Sequence, residues 1–210
     1  VDFRGSGDSD GDFTMASFTT QIEDAIAMLD FITINLRHRV DWKNIGIIGF
    51  SQGGLVGACT AARDDRVDSL SLWSPVSHPP IVYENLITKQ GILQGLALPE
   101  GGSDVFPIYV NETYVNWDVP MGKQFFDNLF QVAPLPEIQK NYQGPLFALC
   151  GVQDPIIWPQ PHQSELYLRY HDGFEKLVML DADHAFNYWD GPNPEKFDDA
   201  IYWSAAWFMH

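Results

Sequence analysis

Basic side chains are scarce in this chain. Twelve Lys and Arg face 28 Asp and Glu, a formal net charge of −16. A surface of that sign repels phosphate backbones, which disfavours a nucleic-acid partner, and it gains nothing from an anionic membrane. Cysteine is scarcer still. Two cannot build a disulfide framework, and Cys59 in "VGACTAA" and Cys150 in "PLFALC" read as buried, inert thiols. No apolar run reaches 18 residues, so the sequence holds no candidate transmembrane helix. Internal repeats and low-complexity tracts are absent as well. No signal peptide is visible, but the chain begins Val1-Asp2 without an initiator Met. The compartment therefore stays open between cytoplasm and export.

What is present is a globular composition. Hydrophobic residues make up 45% of 210 and aromatics 14%, enough to fill the core of one domain. "VDF" (1–3) reads as the end of a strand, with a Gly- and Asp-rich loop to about Asp12. Apolar positions 18, 22, 25, 29, 32 and 36 step by four and three, the period of an amphipathic helix. Ser17, or Thr20 with Glu23, supplies its cap. "NIGIIGF" (44–50) is an apolar run of strand length, and 52–63 a helix with a face of Gly and Ala. Strands follow at 67–74, 144–151 and 175–181, with helices at 161–170 and 194–208. Alternating strands and helices, with most strands apolar throughout, predict an α/β fold: a mostly parallel sheet covered on both faces. Residues 78–143 break the alternation with prolines, glycines and scattered aromatics and no clean strand, and are expected to form an insertion over one end of the sheet. The expected organisation is core 1–77, cap or lid 78–143, core 144–210.

Gly49-Phe50-Ser51-Gln52-Gly53 has the G-x-S-x-G pattern of a nucleophile elbow. A serine on a sharp strand-to-helix turn needs neighbours without side chains, because strand and helix pass close there. The helix that follows offers its amides and positive dipole end to a developing oxyanion, beginning with the Gln52 N–H. A hydroxyl is a poor nucleophile without a base, and the base needs an acid to orient it. In proteins with this elbow the order is serine, acid, histidine, at the ends of later strands. Of six histidines only His184, in "LDADHAFN", follows a strand and precedes a terminal helix. Asp154, in "CGVQDP", follows the strand before it; Asp181 and Asp183 are nearby rivals for the role of acid.

Other patterns carry less. "DSDGDF" (8–13) fails as a calcium loop, with Phe13 where glycine is wanted and Thr19 where glutamate is wanted. Gly5-Ser6-Gly7 lacks the rest of a phosphate-binding motif. His78 beside two prolines reads as a surface loop residue. A zinc site at Asp181, Asp183 and His184 lacks a partner pair, and no metal or organic cofactor is implied.

Four segments in order resemble the α/β-hydrolase superfamily, and within it the group of bacterial cinnamoyl (feruloyl) esterases and monoacylglycerol-lipase-like enzymes. "DFRGSGDSDG" resembles the loop after the fourth strand, "GFSQGG" the elbow, "GVQDPIIWP" the acid loop and "DADHAF" the histidine loop. The resemblance implies Ser51 as nucleophile, Asp154 as acid, His184 as base and Gln52 as one oxyanion donor. It implies a serine carboxylic ester hydrolase acting through an acyl-enzyme on a small ester, short-chain or hydroxycinnamoyl-type. A peptidase or thioesterase on the same triad, or a catalytically silent binding protein, are the alternatives. It also implies about three more strands ahead of "VDFRGSG", and a second oxyanion donor among them. On that expectation the chain is a fragment, a processed product or one completed by a missing N-terminal segment, weakly active by itself and prone to homo-oligomerise.

Overall fold

The computed structural model of the chain describes residues 1–191 and 194–209. In chain order its elements are one 3-10 turn (Phe13–Met15), α1 (Phe18–Asn35), β1 (Ile45–Phe50), α2 (Gln52–Arg63), β2 (Val67–Trp73), α3 (Pro79–Leu96) and β3 (Ser103–Val110). There follow β4 (Thr113–Gly122), α4 (Lys123–Gln131), α5 (Pro134–Asn141), β5 (Leu146–Gly151), α6 (His162–Tyr170), β6 (Glu175–Leu180) and α7 (Glu195–Phe208). The chain divides into two compact units, Val1–Met28 with His78–Ala133 and Leu29–Ser77 with Pro134–His210.

The second unit is built on a parallel sheet in the order β1-β2-β5-β6. Side chains alternate between its faces. Leu146 and Ala148 of β5 join Leu70, Leu72 and the small residues Ala58, Ala61 and Ala62 of α2 in one core cluster. Phe147 and Leu149 join Trp73, Phe186 and Ala200 in a second, with Phe197, Trp203 and Trp207 of α7 packed on it. β5 is buried at all six positions, which is why it reads as a continuous apolar run. Burying each such Leu or Phe is worth about 1.5–3 kcal/mol. The indole N–H groups on the α7 side find partners: Trp73 donates to Ser204 Oγ (2.8 Å) and Trp207 to Ser69 Oγ (2.9 Å). The small face of α2 serves close approach, since a Cβ at Gly57 would stand 3.0 Å from Ile47 Cγ2.

β1 differs from its sequence reading. Its apolar run suggests a strand buried on both faces, yet it lies at the edge of the sheet, paired only with β2 among the described residues. Ile48 and Phe50 consequently stay 53% and 42% exposed, while Ile45 and Ile47 pack against the α2 cluster. The register aligns the strand ends. Phe50 pairs with Trp73, Trp73 with Leu149, and Gly151 with Leu180, so the segments after β1, β5 and β6 leave the sheet at one end.

The first unit contains an antiparallel hairpin, β3 and β4, where the sequence suggested no strand. Phe106, Ile108, Val119 and Met121 line its buried face, and Phe126 of α4 lies 4.7 Å from Phe106 between ring centroids. Phe18 of α1 packs its ring against Tyr83 and Phe125 in the same unit. Helix α3 is interrupted at Thr88 (φ 69°, ψ 156°), whose Oγ1 accepts from Gly91 N. Ser17 caps α1: its Oγ accepts from Thr20 N while Thr20 Oγ1 accepts from Ser17 N. Thr20 is thus a partner in that cap rather than the cap itself. Val1–Phe3 forms no strand, because a strand exists only by laddering with a neighbour and none lies beside it among the described residues.

Candidate active site

Ser51 follows the last residue of β1 and precedes the first of α2, with φ 57° and ψ −122°. A non-glycine residue held there costs on the order of 1–3 kcal/mol and persists only when its surroundings hold it. They do so through the backbone. Ser51 N donates to Trp73 O (2.8 Å), and Ser51 O accepts from Gly54 N (3.0 Å) and Val76 N (3.2 Å). The glycines divide the steric work unevenly. A Cβ at Gly49 would collide with the backbone carbonyl of Gly53, and one at Gly54 would come 2.6 Å from Pro75 Cβ. A Cβ at Gly53 would meet nothing within 4 Å. The close approach therefore needs Gly49 and Gly54, and Gly53 answers the motif without answering the sterics.

Asp154 and His184 stand at the same end of the sheet. Asp154 is reached three residues past Gly151 through a tight turn, with Gln153 N bonded to Ala182 O. A Cβ at Gly151 would collide with the Asp183 carbonyl, so the acid loop and the histidine loop touch through a glycine. His184 Nδ1 lies 2.7 Å from Asp154 Oδ2, and His184 Nε2 lies 3.0 Å from Ser51 Oγ. Asp154 is fully buried at its side chain, and the imidazole is 17% exposed. Asp154 Oδ1 accepts from Ile156 N (2.8 Å) and Ile157 N (2.9 Å), which spends that oxygen on its own loop and leaves Oδ2 for the ring. A carboxylate only accepts, so Nδ1 carries the imidazole proton and Nε2 presents a lone pair to the serine hydroxyl.

The rival acids are engaged elsewhere. Asp181 Oδ1 accepts from Gln153 Nε2, and Asp183 Oδ1 accepts from Asn187 N, closing the turn after the histidine. Gln52 opens α2, where its amide stands at the positive end of the helix beside Ser51. His78 is exposed at the start of α3. Cys59 and Cys150 are buried, and desolvation pushes both thiols up, Cys150 to about 11. Neither presents a thiolate at neutral pH.

Two features of the site escaped the sequence reading. Phe50, an unspecified position in the elbow motif, sets its ring against the His184 imidazole. Behind the elbow, Tyr167 OH donates to Val76 O (2.7 Å), and Ser77 donates to Gln163 Oε1. An apolar cavity of about 340 Å³ opens nearby on the α7 side of β1, lined by Ile48, Phe50, Trp73, Phe186, Tyr188 and Phe197 among others. None of Ser51, Asp154 or His184 lines it.

The α/β hydrolase fold family matches residues 1–98. No curated protein sequence is matched. Solved structures that are similar include Est1E from Butyrivibrio proteoclasticus with ferulic acid bound, at 19% identity and a TM-score of 0.66, over 98% of this chain and 76% of that one. The esterase domain of a Rhodothermus marinus protein is 18% identical with a TM-score of 0.62, over 95% of this chain and 71% of that one. An esterase of Pyrococcus furiosus is 22% identical with a TM-score of 0.65, over 100% of this chain and 69% of that one. Wound in parallel, with its elbow serine at the strand ends, the chain has the α/β-hydrolase fold.

Proposed function

We propose that this chain is a serine carboxylic ester hydrolase that works through an acyl-enzyme, with Ser51 as nucleophile, His184 as base and Asp154 as orienting acid. The observation that carries the reading is the unbroken relay from Ser51 Oγ to His184 Nε2 and from His184 Nδ1 to Asp154 Oδ2, at 3.0 and 2.7 Å. Ser51 Oγ attacks the ester carbonyl carbon as Nε2 takes its proton. Asp154 stabilises the imidazolium, and the Gln52 amide donates to the oxyanion. Collapse expels the alcohol, which leaves with the proton from Nε2. Water, deprotonated by the same nitrogen, then releases the acid and restores Ser51.

The substrate class follows from two supports. Est1E, similar in fold, is a protein with ferulic acid bound. The segment 78–143, read as a cap that selects substrate, carries many aromatics, among them Tyr109, Tyr114 and Trp117. A short-chain or hydroxycinnamoyl-type ester is therefore the proposed substrate. Replacing 78–133, which leaves α5 in the second unit, by a short linker is expected to change preference across an ester series more than turnover of a minimal acetate.

The test pairs a panel of acetate, butyrate and methyl hydroxycinnamate esters with labelling by a fluorophosphonate probe. Expected are turnover of at least one ester and labelling that vanishes in Ser51→Ala, with turnover falling about a thousandfold or more. Labelling without ester turnover, and cleavage of an aminoacyl amide or thioester instead, moves the reaction to the peptidase or thioesterase alternative. No labelling of the unaltered chain makes it a silent binding protein.

A further inference from the structure

Two residues in the first turn of α6 face inward. Gln163 and Ser164 are 2% and 0% exposed. Burying a primary amide is costly unless its groups are bonded, so its partners report what it is there to hold. Gln163 Oε1 accepts two bonds from one residue, Ser77 N at 3.2 Å and Ser77 Oγ at 2.5 Å. Its Nε2 reaches the Trp158 carbonyl at 3.5 Å, and its backbone N donates to Pro159 O at 3.1 Å.

Those partners belong to the two segments that carry the reacting groups. Ser77 follows Val76, whose N–H holds the carbonyl of Ser51 and whose own carbonyl accepts from Tyr167 OH of α6. Trp158 and Pro159 end the loop that begins at Asp154 and is folded over the Asp154 carboxylate at Ile156 and Ile157. A path of bonds thus runs behind the site from Ser51 through Val76, Ser77 and Gln163 to the Asp154 loop. It mirrors the path across the front, from Ser51 through His184 to Asp154. We propose that Gln163 is a positioning residue: it sets the separation between the nucleophile turn and the acid loop, and so lets one imidazole reach both. The proposal rests on the triad reading.

The reason such a clamp matters is the strained serine. The backbone of Ser51 at φ 57° is held by bonds to its N–H and carbonyl, one of which comes from Val76. Misplacing a reacting atom by about 1 Å can cost on the order of a hundredfold, whereas binding of substrate elsewhere is untouched. Loss of the clamp therefore slows acylation and deacylation alike, since both pass through His184, and leaves KM near its value.

Gln163→Met keeps the volume and removes both polar groups. Gln163→Glu keeps an acceptor for Ser77 and regains a donor toward Trp158 only when the introduced carboxyl is protonated. Ser77→Ala removes one of the two donors and leaves the backbone one. Each is compared with the unaltered chain for fluorophosphonate labelling rate and for kcat and KM on an acetate ester, well below each variant's melting temperature. For Gln163→Met the expected result is a labelling rate and kcat lower by about 10- to 100-fold with KM within about twofold. Ser77→Ala falls between, and the rate of Gln163→Glu relative to the unaltered chain rises as pH falls. Labelling and kcat unchanged in folded Gln163→Met, with only a lowered melting temperature, overturn the inference and leave the triad standing. Should Gln163→Met not fold, a pH-independent ratio for Gln163→Glu with full activity in Ser77→Ala overturns it equally. An unaltered chain that takes no label overturns the triad reading, and the inference falls with it.

Discussion

The ring of Phe50 lies against the imidazole of His184, centroids 4.7 Å apart and 31° from parallel. Phe50 also meets Phe186, which packs edge-on to Trp73 in the α7 cluster. His184 is thus braced from the strand that leads into Ser51. An aromatic contact of this kind is worth about 0.5–1.5 kcal/mol beyond the area it buries. Phe50→Leu is expected to lower the fluorophosphonate labelling rate about three- to tenfold, with global stability little changed because Phe50 is already 42% exposed. A variant that labels at the unaltered rate would reduce Phe50 to a bystander.

Asp154 and Asp183 offer a clean contrast. Asp154→Asn replaces an acceptor at His184 Nδ1 with an amide and favours the wrong tautomer, and turnover is expected to fall by about four orders of magnitude. Asp183→Asn disturbs only the bond to Asn187 N in the following turn, and about tenfold or less is expected. Measured kcat in the reverse order would hand the acid's role to Asp183.

The glycines around Ser51 are expected to part company under substitution. Gly49→Ala puts a methyl into the Gly53 carbonyl and should abolish both labelling and cooperative unfolding at the normal temperature. Gly53→Ala enters open space within α2 and should leave the fold as stable or gain up to about 1 kcal/mol. Thermal melts of the two variants decide the point, and equal losses would refute the division drawn between them.

Acid stability has a legible contributor. The hydrogen bonds from Arg66 hold the Asp64 carboxyl below its usual range, with burial opposing and the Arg66 charge adding to the effect. Because the folded pKa is depressed, this contribution is fully present above the unfolded value of about 3.9. It is lost as pH falls through the folded value. Arg66 also reaches Asp30 and Thr33 of α1, so the pair ties that helix to the turn before β2. Asp64→Asn should lower Tm by roughly 2 °C at neutral pH, and the gap should close as pH drops below about 4. A gap that is constant down to acid would mean the ion pair is not its source.

How much of this could be read beforehand depended on how locally each feature is encoded. β5 was legible because a strand covered on both faces is apolar at successive positions, β2 and β6 because each ends in a mostly apolar stretch, and α2 because its small residues repeat on one face. The hairpin was not. The first six residues of β4 are exposed and give no alternation, Pro107 sits within β3, and the turn is Asn111-Glu112. Both turn residues have positive φ, 49° and 61°, a conformation usually announced by glycine. That Ser51, Asp154 and His184 would lie together was legible since each follows a strand end. Gln163 was not, since its partner lies 86 residues away and nothing in its neighbourhood singles it out.

The sheet places β2 beside β5, although residues 78–133 intervene between them, and Ser51 and His184 are separated by 133 positions. Pairing strands so distant along the chain has a closure cost that grows slowly with length but delays the search for the native register. The antiparallel hairpin inside the intervening stretch joins neighbours across two residues and can form early. During synthesis the serine leaves the ribosome first, the aspartate well after it and the histidine last of the three. On the proposed mechanism, reactivity toward a fluorophosphonate therefore marks the arrival of β6 and the loop behind it. While the residues between Ser51 and His184 are being added, the nascent chain carries an oxygen that, on the proposed mechanism, nothing has yet made into a nucleophile.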